Sequence, residues 1–145
     1  MDYELEFESL GQFEEAKPSY GDKWHFEDYK VWQEAHKLAL KVYKNTKTFP
    51  KTEQYGLISQ LNRAAMSVPA NIAEGRHRYT SKEFLRHLII SRGSLAEVRY
   101  FLIFARDLNF IDTQLSQTLL QDTNLVGKLI NRTISGVRKN IPNPK

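Results

Sequence analysis

The chain has 145 residues, 41% hydrophobic and 26% charged, enough for one domain with its own core and an ordinary composition for a folded domain. It contains no cysteine, which excludes a disulfide framework and a thiolate metal site. The net charge of +4 is unevenly divided: residues 1–24 hold seven acids against two lysines, a formal −5, and the remainder holds 19 Lys and Arg against 10 Asp and Glu, a formal +9. No run at the start has the pattern of a signal peptide, and no apolar stretch reaches the length of a bilayer span. A cytoplasmic protein without a membrane partner is the expectation.

Residues 1–24 form an acidic arm with two Gly and one Pro from residue 11 onward, the composition of a flexible tether. Within it Tyr3, Leu5 and Phe7 alternate with Glu4, Glu6 and Glu8, the period of a strand or of a short partner-binding segment. Residues 25–145 form the predicted domain. Its first helix runs from Phe26 to Thr48 on a stripe of Val31, Ala35, Leu38, Val42 and Thr46, and Phe49-Pro50 ends it. A second helix is predicted from Thr52 through Leu57, Leu61, Ala65 and Val68 to Glu74, with Gly75 as its terminator. Pro69 falls inside it, where the missing N–H and the ring's clash with the carbonyl four residues back cost about 3 kcal/mol in a regular helix.

Thr80 with Glu83 is a capping-box signature that opens a third helix, Ser81 to Leu108. Phe84, Leu88, Ser91, Leu95, Val98, Leu102 and Ala105 follow alternating four- and three-residue steps, a heptad seam. Phe101 and Phe104 lie off that seam, so a neighbouring subunit is expected to cover them. Asp112 caps a fourth helix with Leu115, Leu119, Val126, Ile130 and Val137 inward, ending before Pro142. Four helices on short connections predict an all-α antiparallel four-helix bundle.

Catalytic signatures are missing. The histidines at 25, 36, 77 and 87 form no HExxH and no i,i+4 pair, and no phosphate loop or GxSxG occurs. Glu74, Glu83 and Glu97 are the carboxylates that could converge, but bundle carboxylates more often pair with Arg or cap helices. No enzyme, metal or cofactor is expected. Basic surface is what remains. Arg76, His77, Arg78 and Tyr79 occupy the turn between helices two and three, followed by Lys82 and Arg86. Four permanent cations with one aromatic are suited either to phosphates and a stacked base or to plain solvation. Lys30, Lys37, Lys44 and Lys51 recur every seven residues, and here the solvated-face reading is preferred. Arg92, Arg99 and Arg106 share one face of helix three over roughly 21 Å, a row able to follow a phosphate backbone.

Tyr29-Lys30-Val31-Trp32, Phe49-Pro50, Tyr55-Gly56-Leu57, Ser59-Gln60-Leu61, Arg63-Ala64-Ala65, Lys82-Glu83-Phe84 and Gly93-Ser94-Leu95-Ala96-Glu97 form a recognisable set. Its most specific member is Ser67-Val68-Pro69-Ala70-Asn71-Ile72-Ala73-Glu74-Gly75. From Phe26 to about Lys139 the chain resembles the small bacterial four-helix-bundle family found as reading frames inside intervening sequences of large-subunit rRNA. That family includes the accessory variability determinant proteins of diversity-generating retroelements. The resemblance implies an elongated bundle, a homopentameric ring with a basic surface, and in the retroelement setting partnership with template RNA and a reverse transcriptase. The acidic arm departs from the family's shorter N-termini. Ser67, Pro69, Asn71, Glu74 and Gly75 are then architectural: Pro69 kinks helix two, Ala64, Ala65, Ala70 and Ala73 permit close approach, and Asn71 and Glu74 satisfy groups freed by the break. The expected function is a nonenzymatic oligomeric RNA-binding adaptor, the alternative a homo-oligomeric protein-only scaffold.

Overall fold

The computed structural model describes residues 25–144. Four α-helices follow one another: α1 (Lys30–Thr46), α2 (Leu57–Arg76), α3 (Ser81–Asp107) and α4 (Thr113–Arg138). Short 3-10 turns, Phe26–Asp28 and Lys51–Glu53, precede α1 and α2, and no strand occurs among the described residues. α1 packs on α2 and α4, α3 packs on α2 and α4, and the helices of each diagonal pair keep their Cα atoms more than 8 Å apart. This is the square section of an up-down-up-down bundle, which short connections enforce. The acidic arm assigned to residues 1–24 lies outside the described residues.

The heptad seam of the third helix is the inner face of α3: Leu88, Ser91, Leu95, Val98, Leu102 and Ala105 are buried, while Phe84 packs half-buried at the seam's start. Leu61, Val68 and Ile72 of α2, Val42 of α1 and Leu119, Val126 and Ile130 of α4 meet them in one core. Each such side chain, fully withdrawn from water, contributes about 1.5–3 kcal/mol. Phe49 and Phe110, from the two connections at one end, close that end with ring centroids 5.7 Å apart. Phe26, Tyr29 and Phe84 gather at the other.

Helix ends follow local chemistry, with three departures from the sequence reading. Thr80 Oγ1 accepts from the Glu83 N–H at 3.2 Å and its hydroxyl donates to the Glu83 carboxylate at 3.0 Å; Asp112 Oδ1 accepts from the Leu115 N–H at 2.7 Å. Both predicted caps are present. The first departure is at the helix starts, since residues 26–28 and 51–53 turn as 3-10 segments before α1 and α2 begin. Second, Gly75 does not terminate α2. It is buried within the helix, no glycine among the described residues has positive φ, and His77 forms the cap instead. Third, the left-handed terminator is Asn109, φ 59°, after α3. Its N–H reaches the Arg106 carbonyl and the Phe110 N–H the Ala105 carbonyl, both at 2.9 Å, the paired bonds of a Schellman motif.

α2 is continuous through Pro69. Its residues Ser67, Asn71 and Glu74 step by four and three along the edge facing α3, where His87, Ser91 and Ser94 step likewise in the opposite direction. Ser67 Oγ lies 2.8 Å from Ser94 Oγ, Asn71 Oδ1 lies 3.2 Å from His87 Nδ1, and the Ser91 hydroxyl donates to the Val68 carbonyl at 2.8 Å. Asn71 also donates to the Ser67 carbonyl at 2.9 Å. Gly75 completes the seam by close approach: a Cβ there would sit 2.5 Å from His87 Cβ and 3.0 Å from Phe84 Cδ2. The motif is an interhelical seam.

Candidate nucleic-acid interface

The α2–α3 turn separates the predicted basic cluster into inward and outward members. Arg76 turns in: its guanidinium lies 4.4 Å from the Tyr29 ring centre and 5.8 Å from that of Phe84, and its Nε is buried without a hydrogen-bond partner. Cation–π attraction explains that placement. His77 caps α2 and meets Phe26 edge-on at 5.9 Å. The outward members are Arg78, Lys82 and Arg86, all exposed, with Tyr79 at 95% exposure between them. Arg78 is engaged by Glu74 at 2.6 Å. That bond, followed by the charge of His87, holds the Glu74 carboxyl below its usual range. Arg78, Glu83, Arg86, His87 and Ile90 line a hollow of about 250 Å³ beside the turn.

The predicted arginine row lies on another edge of α3, toward α4, apart from this cluster. Arg92 donates to Asn131 Oδ1 at 3.2 Å; Arg99 donates to Asn124 Oδ1 at 2.9 Å and Thr123 Oγ1 at 3.1 Å; Arg106 pairs with Asp107 at 2.9 Å. Arg92 and Arg99 brace α3 against α4, whereas the partner of Arg106 lies on α3 itself. Glu83 and Glu97 are fourteen residues apart on one helix, roughly 21 Å, which keeps them from a shared site. No group of three or more metal-ligating side chains occurs among the described residues.

α3 is two-faced. Opposite its core seam, Lys82, Arg86, Ile89, Ile90, Tyr100, Phe104 and Leu108 share the outward side by helical spacing. The side is basic near the α2–α3 turn and apolar toward the C-terminus, where Tyr100 is 58% and Phe104 44% exposed. Tyr100 contacts both Phe101 and Phe104, centroids 5.7 and 6.2 Å away. Phe101 itself is half-buried against the core, so of the two phenylalanines only Phe104 stands in the open.

Sequence reading did not find a second feature, an apolar trough of about 380 Å³ between α1 and α2. Trp32, Leu40 and Tyr43 wall one side and Met66, Pro69 and Ala73 the other, with Phe26 at one end. His36 stacks on Trp32 there at 4.8 Å, and burial pushes its pKa down. The signal was available: small Ala39, Pro69, Ala70 and Ala73 face large aromatic residues and leave space between them.

Fold and site define an antiparallel helical bundle with a basic turn at one end and an aromatic stripe on the same outer face. Residues 27–132 match the family model of the 23S rRNA-intervening sequence protein, and the chain belongs to that family. A protein of unknown function from the S23 ribosomal protein family of Bacteroides thetaiotaomicron shares the fold, with a TM-score of 0.67 at 19% identity over 72% of this chain and 95% of that one. No curated protein matches the chain. No helix among the described residues is long and apolar enough to cross a membrane.

Proposed function

We propose that the protein is a nonenzymatic, homo-oligomeric, cytoplasmic adaptor that binds RNA through the α2–α3 turn, with a reverse transcriptase as the class of protein partner its family resemblance suggests. The carrying observation is the exposed trio Arg78, Lys82 and Arg86 around a fully presented Tyr79, which pairs phosphate-neutralising charge with a stacking surface. Membership in a family named for sequences within 23S rRNA, and the formal +9 outside the acidic arm, support the same reading. Self-association through the Tyr100–Phe104 stripe would repeat the turn around an assembly and raise a weak contact to useful avidity. A homopentameric ring is the form the resemblance suggests. The protein-only scaffold is the second reading, favoured by the internal partners of Arg78, Arg92, Arg99 and Arg106.

Fluorescence anisotropy with a labelled single-stranded or structured RNA separates the two. R78Q/K82Q/R86Q, with Arg76 left in place as a packing residue, should weaken binding at least tenfold and leave helix content unchanged. Undiminished binding by the triple variant would assign the charge to solvation and favour the scaffold.

A further inference from the structure

The side that α4 and the adjoining edge of α3 turn to solvent gathers positive charge that nothing on it cancels. Lys128, Arg132 and Lys139 are exposed and fall on one outward face of α4 by helical spacing. None of the three has an ion pair or hydrogen-bond partner among the described residues. Asp122 is the one acid within α4, and it turns the other way to pair with Lys41 of α1 at 2.8 Å. α3 adds Arg92 and Arg99. Their bonds to α4 run to oxygens of Asn131, Asn124, Thr123 and Leu120, which are all neutral, so bracing the helices leaves both charges in place. Each arginine donates these bonds from Nη1, and its Nη2 and Nε have no partner among the described residues. Glu97 lies two residues from Arg99, hence on the far side of α3. From the level of Arg99 and Asn124 to Lys139 the five cations span about 22 Å.

We infer that this α3–α4 face holds the backbone of double-helical RNA, an inference that rests on reading the protein as an RNA binder. The kind of RNA follows from what the face lacks. α4 has no aromatic residue, so its outward side offers no ring on which an unpaired base could stack, and single strands are held largely by such stacking. A duplex keeps its bases stacked on one another and presents phosphates and 2′-hydroxyls instead. Ammonium and guanidinium groups suit the phosphates. Asn124 and Asn131 accept from the arginines through Oδ1, which leaves each Nδ2 to donate to a 2′-hydroxyl or a phosphate. The start of α3 and the end of α4 share the end of the bundle that carries the α2–α3 turn, where Tyr79 is exposed. A stem along the α3–α4 face would therefore deliver its unpaired loop to the turn. The ligand class is a stem–loop, and the turn alone sets the salt dependence of single-stranded RNA.

K128Q/R132Q/K139Q removes three exposed charges and no contact within the bundle. Fluorescence anisotropy across a salt series should show its affinity for a blunt RNA duplex reduced about tenfold or more, with the log–log slope flattened by about 2 to 3. Thermal midpoint and affinity for single-stranded RNA should match those of the wild type. Undiminished duplex binding, equal losses on duplex and single strand, or a wild-type protein that binds single strands but no duplex each overturn the inference. A DNA duplex of the same sequence bound as tightly as the RNA would reduce the face to charge alone and overturn its assignment to RNA. The turn is judged separately. Loss of the duplex by K128Q/R132Q/K139Q, with single-stranded RNA still held by R78Q/K82Q/R86Q, would strike the turn and spare this face, while a wild-type protein that binds neither RNA strikes both.

Discussion

Gly75 is the residue whose role depends most on what lies opposite it. In an exposed helix interior, Gly to Ala gains up to about 1 kcal/mol from reduced backbone entropy. Here the added methyl would meet His87 Cβ at 2.5 Å, between two backbones that cannot easily part. Overpacking of this kind costs about 1–3 kcal/mol, so G75A should lower the urea midpoint at unchanged m-value; a raised midpoint would show that Gly75 is not a contact residue. His36 gives a second test at this scale. Burial against Trp32 lowers its folded-state pKa below the ordinary 6.5, so the unfolded chain takes up the proton more readily. The stability at stake is complete above about pH 6.5 and is lost as pH falls through the lowered folded value. Between pH 7.5 and pH 5.5 the wild-type midpoint should fall further than that of H36Q. Equal falls would mean the ring is not shielded from water.

At the scale of helices, periodicity and caps were legible and contacts between helices were not. The heptad seam of α3, the caps at Thr80 and Asp112 and the inward face of α4 follow from spacing and short-range chemistry alone. Gly75 did not take its expected role as terminator because a glycine at a helix end suits either a left-handed turn or a close approach, and only the neighbour decides. Arg76 belongs with them. By charge it joins the basic cluster, yet Tyr29, far back in the chain, recruits it into a ring stack. The matched four-three steps of Ser67-Asn71-Glu74 and His87-Ser91-Ser94 were visible, but their pairing needs the antiparallel register. α3's outward stripe makes its own prediction. F104E places a charge in the exposed aromatic patch while leaving the core seam untouched. It should dissociate the assembly toward the 16.9 kDa chain in sedimentation velocity at micromolar concentration. A wild-type monomer, or an assembly indifferent to F104E, would remove the stripe from any subunit contact.

For the whole molecule, the bundle puts basic turn and aromatic stripe on one face of one helix, so an assembly built on the stripe would align its turns. That geometry has a signature in salt. One chain offers Arg78, Lys82 and Arg86, and three neutralised phosphates give a log–log slope of about −2 to −3. Several aligned chains on one RNA must exceed it. The deciding measurement is therefore the affinity of the wild-type protein for a labelled RNA long enough to cross several subunits, followed across a salt series. A slope steeper than about −3 is the result expected of an oligomeric RNA-binding adaptor, whereas a slope within one chain's range, or no binding at low salt, would contradict it.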